Sequence, residues 1–270
     1  MSQTSVDLER LARQYADGAR LQARIEVHRD FSERRVDFHD WVLAQLAARP
    51  GQSVVDVGCG LGSYHRPLYA QGVRVIGIDS SMGMLRDARG ANEAAAPPMV
   101  QSSAEALPLD ASSCDLGMAN HMMYYVPNQE RALRELSRVV KPGGRVVLST
   151  VSADNHAALD RLHEAAALEL GYGVRPKEAR RFTTEHLALV RSVFPTAELR
   201  LLPNAFVFPT RDGALKYYAS GGVDGILDRP ADDSHRAPLL DLVGRRIDQI
   251  IEREGVFRVS KDNGCFVAQV

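Results

Sequence analysis

Gly58, Gly60 and Gly62 alternate along the chain directly after a run of β-branched residues that ends at Val57. Such a run predicts a short buried strand, and the glycines predict a turn at its carboxyl end. Glycine adopts backbone angles that are closed to other residues, and without a Cβ atom it lets a ligand lie against the main chain. A helix that begins beyond the turn would direct free N–H groups towards that ligand. The spacing therefore predicts a ligand-binding loop.

A carboxylate, that of Asp79, follows the second predicted strand, Val73 to Ile78. It lies about twenty residues after the loop, where an acid can accept hydrogen bonds from ribose hydroxyl groups. Its alternative role is to cap the helix that follows. The dinucleotide fingerprint G-x-G-x-x-G would require glycine or alanine at position 63, where Ser63 stands. The two features together favour a nucleoside ligand other than a dinucleotide.

From Asp56 the loop reads D-x-G-x-G-x-G, which resembles motif I of the class I S-adenosylmethionine (SAM) dependent methyltransferases. Three later segments resemble motifs of the same family in the same order. They are Asp79 to Leu85 (D-x-S-x-x-M-L), Ser102 to Leu109 (D-A-E-x-L-P-F) and Lys141 to Arg145 (K-P-G-G-R). The resemblance covers Val54 to Thr150 and implies SAM as the cofactor.

The resemblance implies cofactor contacts from several segments. The glycine loop would carry the cofactor on its main chain, Asp79 would bind the ribose, and the residues after Asp79 would pack on the adenine. Ser103 stands where the family usually has Asp, so we expect the Ala104 N–H and the Ser103 hydroxyl to replace that carboxylate. The predicted contacts in these segments and at the end of the fourth strand are Asp56, Gly58, Cys59, Gly60, Asp79, Ser80, Met84, Ser103, Ala104, Glu105 and Asn120.

The segment from Val6 to Asp30 is charged and carries a helical stripe that Gly18 interrupts. It is either an ordinary amphipathic helix or a lid over the cofactor, as N-terminal helices are in many methyltransferases of small molecules. As a lid, it would place Tyr15 over the thioether region of SAM. Arg24 would then pair with the SAM carboxylate, because arginine presents a planar fork to such groups.

The candidate catalytic residues follow the predicted fourth strand, Cys114 to Ala119. In open α/β sheets the ligand lies beyond the carboxyl ends of the strands. His121 is the candidate general base, and Tyr125 is the candidate group that orients a polar part of the substrate. A structural histidine and pocket-lining tyrosines, including Tyr124, are the alternatives. The N-P-P-Y or D-P-P-Y segment of enzymes that methylate DNA bases or glutamine amides is missing here.

The resemblance predicts an α/β, Rossmann-like fold with a seven-stranded, mostly parallel sheet and helices on both faces. The last strand, near Cys265 to Val270, would be antiparallel. Residues 1–50 would form the helical lid, residues 51–152 the SAM-binding core, and residues 153–270 the rest of the sheet with inserted substrate-cap helices. Val256 to Ser260 and the last strand flank an Asn263-Gly264 turn signal, which predicts a hairpin.

Four aromatic residues of the last segment, Phe206, Phe208, Tyr217 and Tyr218, are candidates for walls of the cap, with core packing as the alternative. The run Asp232 to His235 suggests a metal site, but a solvated turn is the interpretation that we favour. We therefore expect no metal.

Composition limits the partners of this chain. The net charge of the 270 residues is -1, which gives no electrostatic footprint for nucleic acid or an anionic membrane. Three cysteines without a C-x-x-C pair argue against structural zinc and favour a reducing compartment. No long apolar run is present. We expect a soluble, cytoplasmic protein that binds neither nucleic acid nor membranes.

These observations predict a SAM-dependent methyltransferase that acts on an O, N or C nucleophile of a small molecule, in specialised metabolism such as natural product biosynthesis. One alternative is methylation of tRNA or protein, which the absent basic patch disfavours. Others are a nucleotide-cofactor oxidoreductase, which Ser63 argues against, and a non-catalytic SAM-binding module. The sequence leaves the acceptor and the oligomeric state open.

Overall fold

The computed structural model describes residues 18–91, 98–174 and 182–270. The helices are α1 Gly18–Phe31, α2 Phe38–Leu46, α3 His65–Ala70, α4 Met82–Ala91, α5 Gln129–Val139, α6 Ala157–Glu169, α7 Leu187–Val193, α8 Arg211–Ala219 and α9 Arg236–Glu254. The strands are β1 Ser53–Val57, β2 Arg74–Asp79, β3 Met99–Gln101, β4 Cys114–Asn120, β5 Val140–Val151, β6 Glu198–Leu202, β7 Ala205–Phe208, β8 Phe257–Ser260 and β9 Asn263–Gln269. Within these ranges, no helix has both the length and the apolar character that crossing a membrane requires.

The chain divides into two compact units, each built from three separate segments. The sheet unit consists of Val36–Ala153, Glu178–Pro203 and Asp262–Val270. The helical unit consists of Met1–Arg35, Asp154–Lys177 and Asn204–Lys261.

The sheet unit contains a seven-stranded sheet in the order β3-β2-β1-β4-β5-β9-β6. The pairs from β3 to β5 are parallel, and β9 runs antiparallel to both of its neighbours. All five residues of β1 are buried, as expected for a central strand that is covered on both faces. The predicted seven-stranded, mostly parallel sheet with an antiparallel last strand is confirmed.

Alternate residues of the strands pack into two different cores because side chains of a strand point to opposite faces in turn. Val54 belongs to a cluster with Val42 of α2 and Leu68 of α3. Val55, the next residue, belongs to a cluster with Leu133 of α5 and Val190 of α7. Helices therefore cover both faces, and they hold the carboxyl ends of β1, β2 and β4 at one edge of the sheet.

The helical unit is built on the antiparallel pair of β7 and β8, with α1, α6, α8 and α9 around it. Phe206 and Phe208 of β7 are fully buried there, and Tyr218 of α8 is 1% exposed. Phe208 and Tyr218 are therefore core residues. Tyr217 is only half-buried, and its hydroxyl lies 3.3 Å from Nε2 of His156.

The predicted hairpin between β8 and the last strand is wrong. β8 pairs with β7 in the helical unit, whereas β9 pairs with β5 and β6 in the sheet unit. The Asn263-Gly264 signal lies inside β9 instead of in a turn. A Cβ atom at Gly264 would lie 2.8 Å from Thr184 Cγ2 and 3.0 Å from the Arg200 carbonyl oxygen, so this glycine permits close packing.

Candidate cofactor site

The glycine loop leaves β1 in a tight turn before α3. Gly58, Gly60 and Gly62 have φ angles of 68°, 54° and 69°, in the left-handed region that favours glycine. The N–H groups of Gly58 and Cys59 both donate to the carbonyl of Ile78, at 2.7 and 3.0 Å. A Cβ atom at Gly58 would lie 2.7 Å from Met122 Cγ, so glycine is required there for packing as well as for conformation.

Asp79 fixes the loop from the end of β2. Its Oδ2 accepts the N–H of Gly60 at 2.9 Å, and its Oδ1 accepts the N–H of Ser81 at 2.8 Å. The first turn of α4 is capped by the Ser81 hydroxyl, which accepts the N–H of Met84 at 3.3 Å. A carboxylate offers about four acceptor positions, so Asp79 retains lone pairs for further donors.

Two features favour a ligand with polar groups beside this loop. A Cβ atom added at Gly60 would meet no atom within 4 Å, so open space lies against the main chain. The amide nitrogen of Asn120, at the end of β4, is buried and has no hydrogen-bond partner among the described residues. The oxygen of the same amide accepts a hydrogen bond from the Ser149 hydroxyl at 2.8 Å, which fixes its orientation. A cofactor that offers an acceptor atom would satisfy the buried nitrogen.

Asp56 lies beneath the loop and contacts a residue that sequence reasoning missed. Its carboxylate is 1% exposed and lies 3.1 Å from Nε2 of His65, which is fully buried at the start of α3. Burial raises the pKa of Asp56, and the hydrogen bond to His65 opposes that rise. A signal for His65 was available, because a carboxylate inside a strand of valines requires a buried polar partner. A direct contact between Asp56 and the cofactor stays a prediction.

The side chain of Cys59 turns away from solvent into a small apolar cluster with Leu85, Ala88 and Met99. Burial raises the pKa of its thiol, and the nearby carboxylates of Asp56 and Asp79 add to that rise. Cys59 thus packs the loop against α4, and its contact with the cofactor stays a prediction. Ser80 is exposed and Met84 half-buried beside this cluster.

The segment from Ser103 to Glu105 is anchored to the start of α5. The Ser103 hydroxyl accepts the N–H of Glu105 at 3.1 Å, and the Glu105 carboxylate accepts the N–H of Asn128 at 3.0 Å. The Glu105 carbonyl accepts Nε of Arg131 at 2.9 Å. Ala104 is 9% exposed between them. The contacts predicted between this segment and adenine stay predictions.

His121 and Tyr125 both lie in the loop that follows β4. His121 has a left-handed backbone with φ of 50°, and its ring lies 4.9 Å from the ring of Phe38. Burial, with a smaller contribution from the charge of His39, lowers the pKa of His121 to about 4. The imidazole is therefore neutral at pH 7 and weakly basic. Tyr125 is 48% exposed and packs edge-on against Tyr124, with ring centroids 4.5 Å apart.

The two predicted lid residues have different outcomes. Tyr15 lies outside the described residues. Arg24 lies on α1 in the helical unit, where its Nε donates to the Ser220 hydroxyl at 3.0 Å and its Nη2 to the Ser220 carbonyl at 3.1 Å. Pairing of Arg24 with a SAM carboxylate stays a prediction.

The run that suggested a metal site does bring possible ligands together. Oxygen and nitrogen atoms of Asp224, Asp233 and His235 lie within 4.8 Å of one another. However, the Asp224 carboxylate already accepts hydrogen bonds from the guanidinium groups of Arg20, at 2.9 Å, and Arg236, at 2.5 Å. Because these guanidinium groups neutralise the carboxylate, the cluster is explained as an ion-pair network.

Comparison with known proteins agrees with this geometry. Residues 55–148 match the family model described as a methyltransferase domain. Malonyl-[acyl-carrier protein] O-methyltransferase of Pseudescherichia vulneris is 38% identical over 126 residues, which cover 47% of this chain and 48% of that protein. The enzyme of the same name from Enterobacter lignolyticus is 34% identical over 128 residues, or 47% of this chain and 49% of that one. The chain thus spans about half the length of these curated relatives.

Solved structures show the same fold at low sequence identity. A candidate methyltransferase from an antibiotic biosynthesis pathway of Anabaena variabilis superposes with a TM-score of 0.58 at 17% identity, covering 86% of this chain and 96% of that one. The [4+2]-cyclase SpnF superposes with a TM-score of 0.54 at 17% identity, covering 88% and 86%. The prediction of a class I SAM-dependent methyltransferase is confirmed for the fold and for the domain at residues 55–148, and this domain implies SAM as the cofactor.

Proposed function

We propose that this chain, which carries a class I methyltransferase domain at residues 55–148, transfers the methyl group of SAM to a nucleophile of a small molecule in specialised metabolism. The observation that carries the proposal is the glycine loop, whose open main chain at Gly60 is tied to the carboxylate of Asp79. The loop thereby offers both an open main-chain surface that a nucleoside can contact and a carboxylate that can accept its sugar hydroxyl groups.

The residues around the loop have distinct tasks in this proposal. Asp79 accepts the ribose hydroxyl groups on the lone pairs that Gly60 and Ser81 leave available. The buried amide nitrogen of Asn120 donates to an acceptor atom of the cofactor. SAM supplies a methyl carbon that its sulfonium makes electrophilic, so the protein mainly has to align the acceptor with that carbon.

The state of His121 bears on the kind of acceptor. A neutral imidazole with a pKa of about 4 removes a proton poorly from an alcohol or amine. It suffices for an acceptor that is already anionic or loses its proton readily, and Tyr125 orients such a group. Within the proposed O, N or C acceptors, we therefore favour an anionic oxygen. The names of the curated relatives, which are O-methyltransferases, support the same choice.

An acyl group carried by a protein is the second candidate acceptor, and the names of these relatives are the observation that favours it. The similarity covers only about half of each relative, so we rank a protein-bound acyl acceptor below a free small-molecule acceptor. A catalytic role other than methyl transfer is the remaining alternative. The fold alone does not exclude it, since a protein named a cyclase shares that fold.

Two measurements test the proposal. Calorimetry with SAM, S-adenosylhomocysteine and NAD tests the ligand, and we expect heat from the first two alone. Absence of heat from both would reject the proposal, and binding of NAD alone would favour an oxidoreductase. Transfer of a radiolabelled methyl group is then measured against small carboxylates, phenols, acylated carrier protein and tRNA. Label in tRNA alone, or in no acceptor despite tight binding, would contradict the proposed activity.

A further inference from the structure

Ser149 and Asn120 form a polar pair where β5 and β4 approach their carboxyl ends, inside the sheet unit. The two strands are parallel, and Ser149 lies opposite Asn120 in their register. Ser149 is fully buried, and its hydroxyl donates to Oδ1 of Asn120 at 2.8 Å. A buried hydroxyl destabilises a strand unless it is hydrogen-bonded, and here its partner is the amide of one residue at the cofactor site.

This hydrogen bond determines which end of the Asn120 amide is left for a ligand. Nδ2 is buried and has no hydrogen-bond partner among the described residues. In a rotated amide, Nδ2 would face Ser149 and the ligand would meet an oxygen, which only accepts. The rotation would also leave the hydroxyl proton of Ser149 without an acceptor, because the described residues give this hydroxyl no other partner than Asn120. Ser149 therefore makes this position a donor.

The pair lies beside the glycine loop, on the side opposite Asp79. Val57, the last residue of β1, lies opposite the residue before Asp79 on β2 and the residue before Asn120 on β4. Asp79 and Asn120 therefore flank the start of the loop at Gly58 from two sides. Because neighbouring strands are about 4.8 Å apart, the two residues are separated by about 10 Å across the loop.

The strand order indicates which part of the cofactor Asn120 would meet. In the proposed function, Asp79 binds the ribose, and the segment after β3 contacts the adenine. Since the order is β3-β2-β1-β4, the part of the cofactor beyond the ribose would lie beside β4. That part carries a sulfur atom, an ammonium and a carboxylate. An ammonium only donates and sulfur is at most a weak acceptor, so the carboxylate is the group that suits a donor.

We propose that Ser149 is a positioning residue of the cofactor site. It holds the amide of Asn120 so that Nδ2 donates to the carboxylate in the amino-acid part of SAM. A hydrogen bond to a charged acceptor is roughly twice as strong as a neutral one, so the orientation of this single amide contributes to affinity. The inference rests on the proposed function for the identity of the ligand, and it adds the hydroxyl that orients the donor.

Calorimetry with two ligands tests the proposal. S-Adenosylhomocysteine carries the amino-acid part, whereas 5′-methylthioadenosine keeps the adenine, ribose and sulfur and lacks it. We expect Ser149→Ala to weaken S-adenosylhomocysteine by about 3–10-fold and Asn120→Ala by about tenfold or more. Both variants should bind 5′-methylthioadenosine within about twofold of wild type. Asn120→Asp keeps an acceptor for Ser149 but places a negative charge beside the carboxylate, so it should weaken S-adenosylhomocysteine alone.

A double-variant cycle shows whether Ser149 acts through Asn120. If it does, Ser149→Ala causes no further loss of S-adenosylhomocysteine affinity in an Asn120→Ala background. Thr150→Val is the matched control, because Thr150 is the next residue of β5, is fully buried, and donates its hydroxyl to the Phe182 carbonyl at 2.9 Å. We expect it to lower the melting temperature as Ser149→Ala does and to leave both affinities unchanged.

Several results would overturn the proposal. They are an unchanged affinity of Ser149→Ala for S-adenosylhomocysteine, an equal loss for both ligands, and an undiminished effect of Ser149→Ala when Asn120 is alanine. An unchanged affinity of Asn120→Ala would also overturn it, since another group, such as an internal water, would then satisfy the nitrogen. Wild-type protein that binds both ligands equally would contradict the carboxylate contact alone, whereas binding of neither would reject the proposed function itself.

Discussion

Replacement of Asp79 by Asn tests whether one carboxylate both fixes the glycine loop and binds the cofactor. The carboxylate oxygens accept two backbone N–H groups, those of Gly60 and Ser81. Asparagine keeps the shape but offers one oxygen, so an amide nitrogen must face one of these donors. Losing one hydrogen bond to a charged group costs about 1.5–3 kcal/mol, and we expect the free energy of unfolding to fall by that amount.

The effect on the cofactor should be separate and additional. In our proposal the same carboxylate accepts the ribose hydroxyl groups, and Asp79→Asn removes the charge that strengthens these bonds. We expect the dissociation constant of S-adenosylhomocysteine to rise about 10–100-fold, which corresponds to about 1.4–2.7 kcal/mol. Calorimetry measures the affinity, and urea unfolding measures the stability.

Asp115→Asn is the matched control. Asp115 lies near the start of β4, at the opposite edge of the sheet, where it accepts the N–H and hydroxyl of Ser53 and the ammonium of Lys141. The hydrogen bond from Lys141, then those from Ser53, lower its pKa to about 2. We expect Asp115→Asn to lose stability and to retain its affinity for the cofactor product. Our reasoning is refuted if folded Asp79→Asn binds like wild type, or if both variants lose affinity equally.

Three further predictions concern single residues of the sheet unit. Gly60→Ala should weaken S-adenosylhomocysteine binding because the methyl group would fill open space beside the main chain. Gly51 also has a positive φ, of 85°, and open surroundings, so Gly51→Ala is the control. It should cost the same backbone strain as Gly60→Ala, about 1–2 kcal/mol, and leave the affinity for S-adenosylhomocysteine unchanged in calorimetry. His65→Ala should lower the free energy of unfolding by about 3–5 kcal/mol in urea, because it leaves the buried Asp56 carboxylate unpaired; a loss below about 1 kcal/mol would contradict the pairing. The pKa of His121 is lowered to about 4 in the folded protein, so the unfolded chain binds more protons between pH 6.5 and 4. Lowering the pH through this range should therefore reduce the free energy of unfolding by up to about 3 kcal/mol. Urea midpoints should fall less steeply over this range in His121→Asn, and equal slopes would reject the assignment.

The local patterns that predicted the sheet were those whose signals lie within a few residues. Val54 to Val57 and the glycines after them specify a buried strand and a turn, whatever the rest of the chain does. The resemblance of the ordered motifs to those of class I methyltransferases then predicted the fold. The Asn263-Gly264 signal gave a wrong prediction because glycine is required there for close packing against Thr184. Thr184 is far away in the sequence, so a local pattern does not reveal this contact.

The contacts that the sequence did not reveal join residues that are distant along the chain. His65 is nine residues from Asp56, and only the burial of β1 makes their pairing necessary. His28 and Lys261 are separated by most of the sequence, so their proximity depends on how α1 and β8 pack in the helical unit. Periodicity places each residue on a face of its own element, but it does not identify the residue opposite.

The interruption of each unit by the other limits how this protein can be divided or recombined. The chain leaves the sheet unit at Asp154 and at Asn204, and it returns at Glu178 and at Asp262. Cutting at a single peptide bond between β1 and β9 therefore yields no fragment with a complete sheet, because β9 fills the place between β5 and β6. A chimaera that exchanges the helical unit with that of a relative would need at least four junctions inside the chain, besides one near Arg35. If a chimaera with fewer junctions acquired the acceptor specificity of the relative, that specificity would be due to individual side chains and not to the whole helical unit.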